Sequence, residues 1–245
     1  MNPPAATPLH GVLYLLPTAL GDIAWQTYLP QGTRDTACRL NHFIAENAKT
    51  ARAELKRIGH PRPLREVAIE QLPEKLPAAE IDRLLAPLAS GHDVGLMSEA
   101  GCPGVADPGA LLVRRAHALE IAVKPLVGPS SLLLALMASG LDGQRFAFHG
   151  YLPQREPERS RKIADLEKES ARQNQTQLFI ETPYRNAQMF QALLAACRPA
   201  TLLCLAADLT LATEAIATRS VADWRQAPPP ALERRPTVFL LLSAG

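Results

Sequence analysis

The sequence predicts an α/β protein of two α/β domains, with a mostly parallel sheet in the first and a mixed sheet in the second. Short apolar runs alternate with helical patterns along the chain, which yields parallel strands with helices on the sheet faces. The second half holds more consecutive strand candidates, so its sheet is expected to be mixed. At 245 residues the chain suits one large domain or two small ones, and its 47% hydrophobic and 20% charged composition fills real cores.

The elements follow in order. Residues 12–16 form a strand closed by Pro17, with a turn at Gly21 and Asp22. Residues 39–45 read as a strand and 47–58 as a helix stopped by Gly59 and Pro61. A short strand at 67–69 precedes a helix at 79–90, which Gly91 ends. Residues 93–97 form a strand that runs into a Gly/Pro-rich loop, a helix follows Pro108, and 122–127 is the next strand. The helix opening at Ser130 starts a new unit, so the domains are placed at 10–127 and 128–245. Within the second, helices are expected at 130–139, 156–172 and 184–196. Strands are expected there at 145–149, 177–181, 201–205, 213–218 and 237–242.

Composition limits the function classes. A net charge of +2 does not by itself mark a nucleic-acid binder, so that inference has to rest on local clusters. Cys38, Cys102, Cys197 and Cys204 form no C-x-x-C pair and read as small buried hydrophobes in a reducing compartment. The opening MNPPAATPLH lacks the basic start and apolar run of an export signal. The longest apolar run, 132–138, falls far short of the ~20 residues that span a bilayer. The cytoplasm is the expected compartment.

Three loops carry the chemistry, and each follows a strand, where α/β sheets bind ligands. The first is Pro17-Thr18-Ala19-Leu20-Gly21-Asp22; its bland reading is a strand–helix turn with Asp22 as N-cap. The second runs from Ser98-Glu99-Ala100-Gly101-Cys102-Pro103 through Gly104-Val105-Ala106-Asp107-Pro108-Gly109. Its prolines stiffen it and its glycines let backbone approach a ligand; Asp107 stands where an N-cap belongs, with Pro108 at the first helical position. It is neither a Walker A loop nor a G-x-G-x-x-G fingerprint. In the third, Val127-Gly128-Pro129-Ser130-Ser131, two hydroxyls open a helix, where they serve either as caps or as partners of a ligand carboxylate.

Together, PTALGD, SEAGCPGVADPG and GPSS followed by ASGLDGQRFAFHGYLPQ resemble the tetrapyrrole methylase superfamily of S-adenosylmethionine-dependent methyltransferases. Within it the chain is most similar to the branch that methylates a cytidine ribose of small-subunit ribosomal RNA. Phe179-Ile180-Glu181-Thr182-Pro183-Tyr184-Arg185 is similar to that branch's [FY]-[YF]-E-[ST]-P-H-R segment, and Leu209-Thr210 with Glu214 to its E-L-T-K…E stretch. There are departures. The branch's E-D-T-R motif reads Glu46-Asn47-Ala48-Lys49 here, its histidine is Tyr184, and its lysine is Leu211. An arginine fork replaced by Lys49 is not a conservative change at a phosphate.

The resemblance implies a cofactor cleft between two domains, no metal, and a homodimer. It assigns S-adenosylmethionine contacts to Pro17, Gly21, Ser98, Glu99, Ala100, Gly101, Pro103, Val105, Asp107, Ser130 and Ser131. It assigns further ones to Glu181, Thr182, Pro183, Leu205, Ala206, Pro236 and Thr237. A ribose hydroxyl also needs a base, for which Glu46 and Glu181 are the catalytic candidates. For substrate, Lys49, Arg52, Lys56 and Arg57 with Arg185 are the candidate phosphate contacts, in a cluster that Arg62 and Arg65 extend. The cations at 155–162 read more simply as a solvated helix face. No aromatics interleave with the cations for base stacking. The resemblance, with the basic cluster in support, implies that the acceptor is ribosomal RNA or the small ribosomal subunit. The alternatives are a small molecule such as a tetrapyrrole, or a non-catalytic binder or assembly protein of the same fold.

Overall fold

The computed structural model describes residues 10–73 and 75–243, so residues 1–9 of the segment read for an export signal lie outside the described residues. The chain divides into two compact units between Ser130 and Ser131. Among the described residues the first unit has five strands: β1 Leu13–Leu16, β2 His42–Ala45, β3 Ala68–Gln71, β4 Val94–Met97 and β5 Val123–Pro125. Its helices are α1 Gln31–Arg39, α2 Ala48–Arg57, α3 Ala78–Ala89 and α4 Ala110–Ala118. The sheet order is β3-β2-β4-β1-β5, and every pair is parallel.

Strand periodicity sorts the apolar residues onto two faces. Leu13, Ile44, Val94 and Leu96 pack with Leu84 and Leu88 of α3 and Leu112 of α4. Their neighbours Tyr14, Leu16, Phe43, Ala45 and Met97 pack with Ala37 of α1 and Ala51 and Leu55 of α2. The two faces thus carry different helices, and the strand order decides where loops part. Connections from β1 and β2 run toward β3, whereas those from β3 and β4 run toward β5. Adjacent β2 and β4 therefore send their loops to opposite faces, opening a crevice at their carboxyl ends.

In the second unit the described strands are β6 Phe146–Tyr151, β7 Thr176–Ile180, β8 Leu202–Ala207, β9 Ala215–Ser220 and β10 Thr237–Leu242. They order as β6-β7-β10-β8-β9, with β6 parallel to β7 and the remaining pairs antiparallel. The helices are α5 Ser131–Ser139, α6 Glu158–Gln173, α7 Asn186–Ala196 and α8 Val221–Gln226. Stacked Phe179 and Phe239, 5.6 Å between centroids, centre a core completed by Ile163 and Leu166 of α6, Phe190 and Leu193 of α7, and Trp224 of α8. The strand pairing bears out the mixed sheet.

Several sequence expectations are corrected. Residues 39–45 are not one strand, because Arg39 closes α1 and pairing begins at His42. Helix α1 escapes a search for apolar periodicity because two of its three buried residues, Thr33 and Thr36, are polar. Helix α8, capped by Ser220, was also missed; it is only six residues long. Asp22 caps nothing: its side chain is fully exposed and pairs with Arg57. Asp107 is not an N-cap either. Helix α4 starts at Ala110 behind Gly109, which frees the Asp107 carboxylate for other contacts. On α6 the face is not wholly solvated, since Arg159 is buried against Glu156.

Candidate functional site

In the first unit the three loops are tied into one structure. Thr18 and Gly101 form an isolated antiparallel bridge, with Thr18 N–H donating to the Gly101 carbonyl (2.9 Å) and Gly101 N–H to the Thr18 carbonyl (3.2 Å). The third loop joins through Cys102 Sγ, which donates to the Pro129 carbonyl at 3.3 Å. Gly128 lies so close to Pro17 that a Cβ there would fall 2.4 Å from the ring, so only glycine allows this approach. Gly101 has φ +76°, left-handed backbone that glycine adopts without strain. Segments some eighty positions apart thus meet through backbone groups, as a site built on close backbone approach requires.

Glu46 stands in the β2/β4 crevice. Its amide donates to the Met97 carbonyl (3.1 Å), and its Oε2 accepts the Glu99 amide (3.1 Å). Asp107 belongs to the same electrostatic group. Burial pushes its carboxyl up to about 6, and the charges of Glu46 and Glu99 add to the rise, while a hydrogen bond from Ser98 opposes it. Ser98, Gly101 and Pro103 are buried, whereas Glu99, Ala100 and Val105 are exposed. Gly21 is half-buried, and its carbonyl accepts the Ile23 amide.

Helix α2 begins directly beyond Glu46. Asn47 caps it, its Oδ1 accepting the amides of Lys49 (2.9 Å) and Thr50 (3.3 Å). An asparagine in place of an acid therefore keeps the cap. Lys49, Arg52 and Lys56, spaced three and four apart, share one exposed face. Arg57 does not join them. Its guanidinium holds buried Glu54 (2.5 Å) and Asp22 (3.0 Å), and Tyr28 Oη also donates to Glu54. Burial, then the Glu54 carboxylate, drives the Tyr28 hydroxyl well above its ordinary range. Removing Arg57 would strand a buried charge, typically at about 3–5 kcal/mol.

In the second unit, Glu181 is buried and engaged. Its Oε1 accepts the Thr182 amide (2.6 Å) and Arg185 Nη2 (2.7 Å). Strand pairing sets Ala206 opposite Val238 and Thr237 opposite Ala207, so the assigned residues of β8 and β10 are neighbours. The Pro183 carbonyl accepts the Arg234 amide and the Pro236 carbonyl accepts the Asp208 amide, drawing the end of β7 to the same place. Ser130 is half-buried at the end of the first unit, and half-buried Ser131 opens α5. Sequence reasoning missed Thr18, Asp208, Asn186 and Arg235. The basic pair directly before Pro236 was the available signal for the last. Among the described residues no cluster of three or more His, Cys, Asp or Glu is arranged to hold a metal ion, and no helix is long and apolar enough to cross a membrane.

Comparison with known proteins gives consistent results. The family model described as Tetrapyrrole (Corrin/Porphyrin) Methylases matches residues 32–224. The chain is 34% identical to ribosomal RNA small subunit methyltransferase I of Xylella fastidiosa, over 73% of this chain and 61% of that protein. It is 29% identical to the protein of the same name from Haemophilus influenzae, over 90% of this chain and 74% of the relative. The Mesorhizobium japonicum protein of that name is 33% identical over 89% and 71%. The crystal structure of the methyltransferase CobJ superposes with a TM-score of 0.63 over 96% of this chain and 95% of that one, at 18% identity, a likeness of fold.

Proposed function

This chain belongs to the tetrapyrrole (corrin/porphyrin) methylase family, and from that premise we propose that it is an S-adenosylmethionine-dependent methyltransferase acting on a ribose 2′-hydroxyl of small-subunit ribosomal RNA. The acceptor is inferred from relatives named for ribosomal RNA. The cofactor site is inferred from one observation, the three-loop knot beside the β2/β4 crevice, whose glycines leave backbone open to a ligand. Pro17, Gly21, Ser98, Glu99, Ala100, Gly101, Pro103, Val105 and Asp107 are the proposed contacts in the first unit, with Ser130 at its end. Ser131, Glu181 to Pro183, Leu205-Ala206 and Pro236-Thr237 are those of the second.

The bound cofactor supplies an activated methyl group on a sulfonium. The protein's own part is orientation, solvent exclusion and handling of the proton the ribose hydroxyl loses. Glu46 is the preferred base, because Glu181 is already held by Arg185 and the Thr182 amide. Lys49, Arg52 and Lys56 are proposed to hold RNA phosphates, with Arg185 a further substrate contact through its partly exposed guanidinium. A cytoplasmic homodimer is part of this reading. Labelled methyl transfer to small subunits and to extracted small molecules, both from cells lacking the protein, tests the acceptor. Label in the small-molecule fraction alone would replace ribosomal RNA with a small acceptor, and label in neither fraction would favour a non-catalytic binder.

Calorimetry on chelator-treated protein should show S-adenosylmethionine binding with undiminished affinity. Heat that appears only after a divalent metal is restored would refute the metal-free site. The carboxyls of the crevice give a second expectation. Asp107 keeps its proton to about pH 6 in the folded protein, above its unfolded value, so its stabilising contribution is complete in acid and is lost as pH rises through about 6. A cationic ligand shifts that balance the other way. S-adenosylmethionine should bind more tightly as pH rises from 5 to 7, whereas the uncharged thioether S-adenosylhomocysteine should change much less. In Asp107→Asn the difference between the two ligands should shrink, and parallel pH profiles in the wild type would rule out an electrostatic role.

A further inference from the structure

Three residues of the second unit hold left-handed backbone away from any helix end, a conformation that residues other than glycine rarely adopt: Asp208 (φ 53°), Thr210 (φ 74°) and Arg234 (φ 58°). Of the others described, Glu120 and Asn174 lie just past helix ends, where this conformation is common, and Ala106 lies in the loop after β4. Asp208, Thr210 and Arg234 end no helix, and two of them adjoin a single side chain, Asp208 by a hydrogen bond and Arg234 as its neighbour along the chain.

That side chain is Arg235. It donates from Nε to Asp208 Oδ2 (2.7 Å), from Nη1 to the Ala231 carbonyl (2.9 Å) and from Nη2 to the Thr213 carbonyl. The Arg235 carbonyl accepts Asn186 Nδ2 (2.7 Å) and Thr237 Oγ1 (2.9 Å). One residue thus ties together the loop after β8, the entry of β10 and the first residue of α7. Asp208 is nearly buried in the pair, with 9% of its side chain exposed. Two buried atoms beside this hub, Asn186 Oδ1 and Thr210 Oγ1, have no hydrogen-bond partner among the described residues. Buried polar atoms in native proteins are nearly always partnered, so unpaired ones beside strained backbone point to a place that receives something.

We propose that the Arg235–Asp208 pair is a positioning device. It holds the loop after β8 and the entry of β10 in the strained shape that the cofactor needs, and it sets cofactor affinity without touching the cofactor. The inference rests on the reading that Leu205-Ala206 and Pro236-Thr237 meet S-adenosylmethionine. The planar guanidinium reaches three acceptors at once, two in the loop after β8 and one ahead of β10, which an ammonium, as a point charge, does only in part.

The test is calorimetry with S-adenosylmethionine on wild type, Arg235→Gln, Arg235→Lys and Asp208→Asn, with amide hydrogen exchange on each. Arg235→Gln should weaken binding at least about tenfold, and Arg235→Lys should recover about half of that loss on a logarithmic scale. Asp208→Asn, which keeps the left-handed preference but loses the charge, should fall between wild type and Arg235→Gln. Amides at 208–214 should exchange faster in Arg235→Gln and regain protection at saturating cofactor, while those of the β8 and β10 core stay protected. Wild-type affinity in Arg235→Gln would overturn the proposal, as would a loss that lysine does not relieve or that comes with exchange throughout the core. Wild-type protein that binds no S-adenosylmethionine would instead overturn the cofactor reading, and this inference with it.

Discussion

Gly101→Val is expected to reduce S-adenosylmethionine affinity by at least about 100-fold, near 2.7 kcal/mol, in a protein that remains folded. The backbone at Gly101 has φ +76°, and a β-branched residue is the least able to hold it. An added Cβ would meet Leu20 at 3.5 Å and the Pro129 carbonyl at 3.8 Å, so the further methyls of valine press on both other loops. Gly101 also supplies both hydrogen bonds of the bridge to Thr18. A change that moves its backbone therefore disturbs all three strand-end loops together. The strain, roughly 1–3 kcal/mol, is small beside the 5–15 kcal/mol that holds a typical domain, so circular dichroism should still report native secondary structure. Calorimetry decides the matter. Wild-type affinity in the folded valine variant would mean that the loop is only a connection.

The second large effect concerns the acceptor. Replacing Lys49, Arg52 and Lys56 together with glutamate should weaken small-subunit binding by about two orders of magnitude or more and lower the salt slope by roughly 2–3. Each of these cations is exposed, and their spacing aligns them on one face of α2. Cofactor affinity should be unchanged, since none of the three lies in the loop knot. Arg57 stays in place, because reversing it would set an acid against buried Glu54 and confound binding with stability. Filter binding across a salt series gives affinity and slope together. A triple variant that matches wild type in both would remove this face from the RNA site, and methyl transfer to a small molecule by that variant would move the acceptor to that class.

The fold class and most strands were legible because they depend on local pattern. The six residues of β10, Thr237–Leu242, are apolar throughout after the first, as a strand central in its sheet has to be. The strand-end loops were legible for a related reason: Gly101, Pro103, Gly104 and Pro108 meet backbone demands that few other residues meet. Helix α1 was not legible, because Thr33 and Thr36 satisfy their burial through contacts absent from any apolar count; Thr33, for one, donates to the Val127 carbonyl. The start of α4 was misplaced for the converse reason. Asp-Pro before an apolar run is a sound local start signal, yet Asp107 is drawn into the crevice with Ser98, Glu46 and Glu99.

The sequence by itself therefore determined the domains' architectural class, the backbone-exposing loops that are proposed to carry a ligand, and the resemblance on which the proposed chemistry rests. These rest on backbone preferences and periodicities that act over a few residues. Only the tertiary structure decided which charges are free and which are bound. Glu46 meets Glu99 because β2 lies beside β4, and Arg57 is taken from the basic face because Glu54 is buried next to Tyr28. Arg235 gathers Asp208, Thr213 and Asn186 because β10 enters between β7 and β8. A charge acts over a few ångströms of space, and strand order sets that distance between residues far apart along the chain.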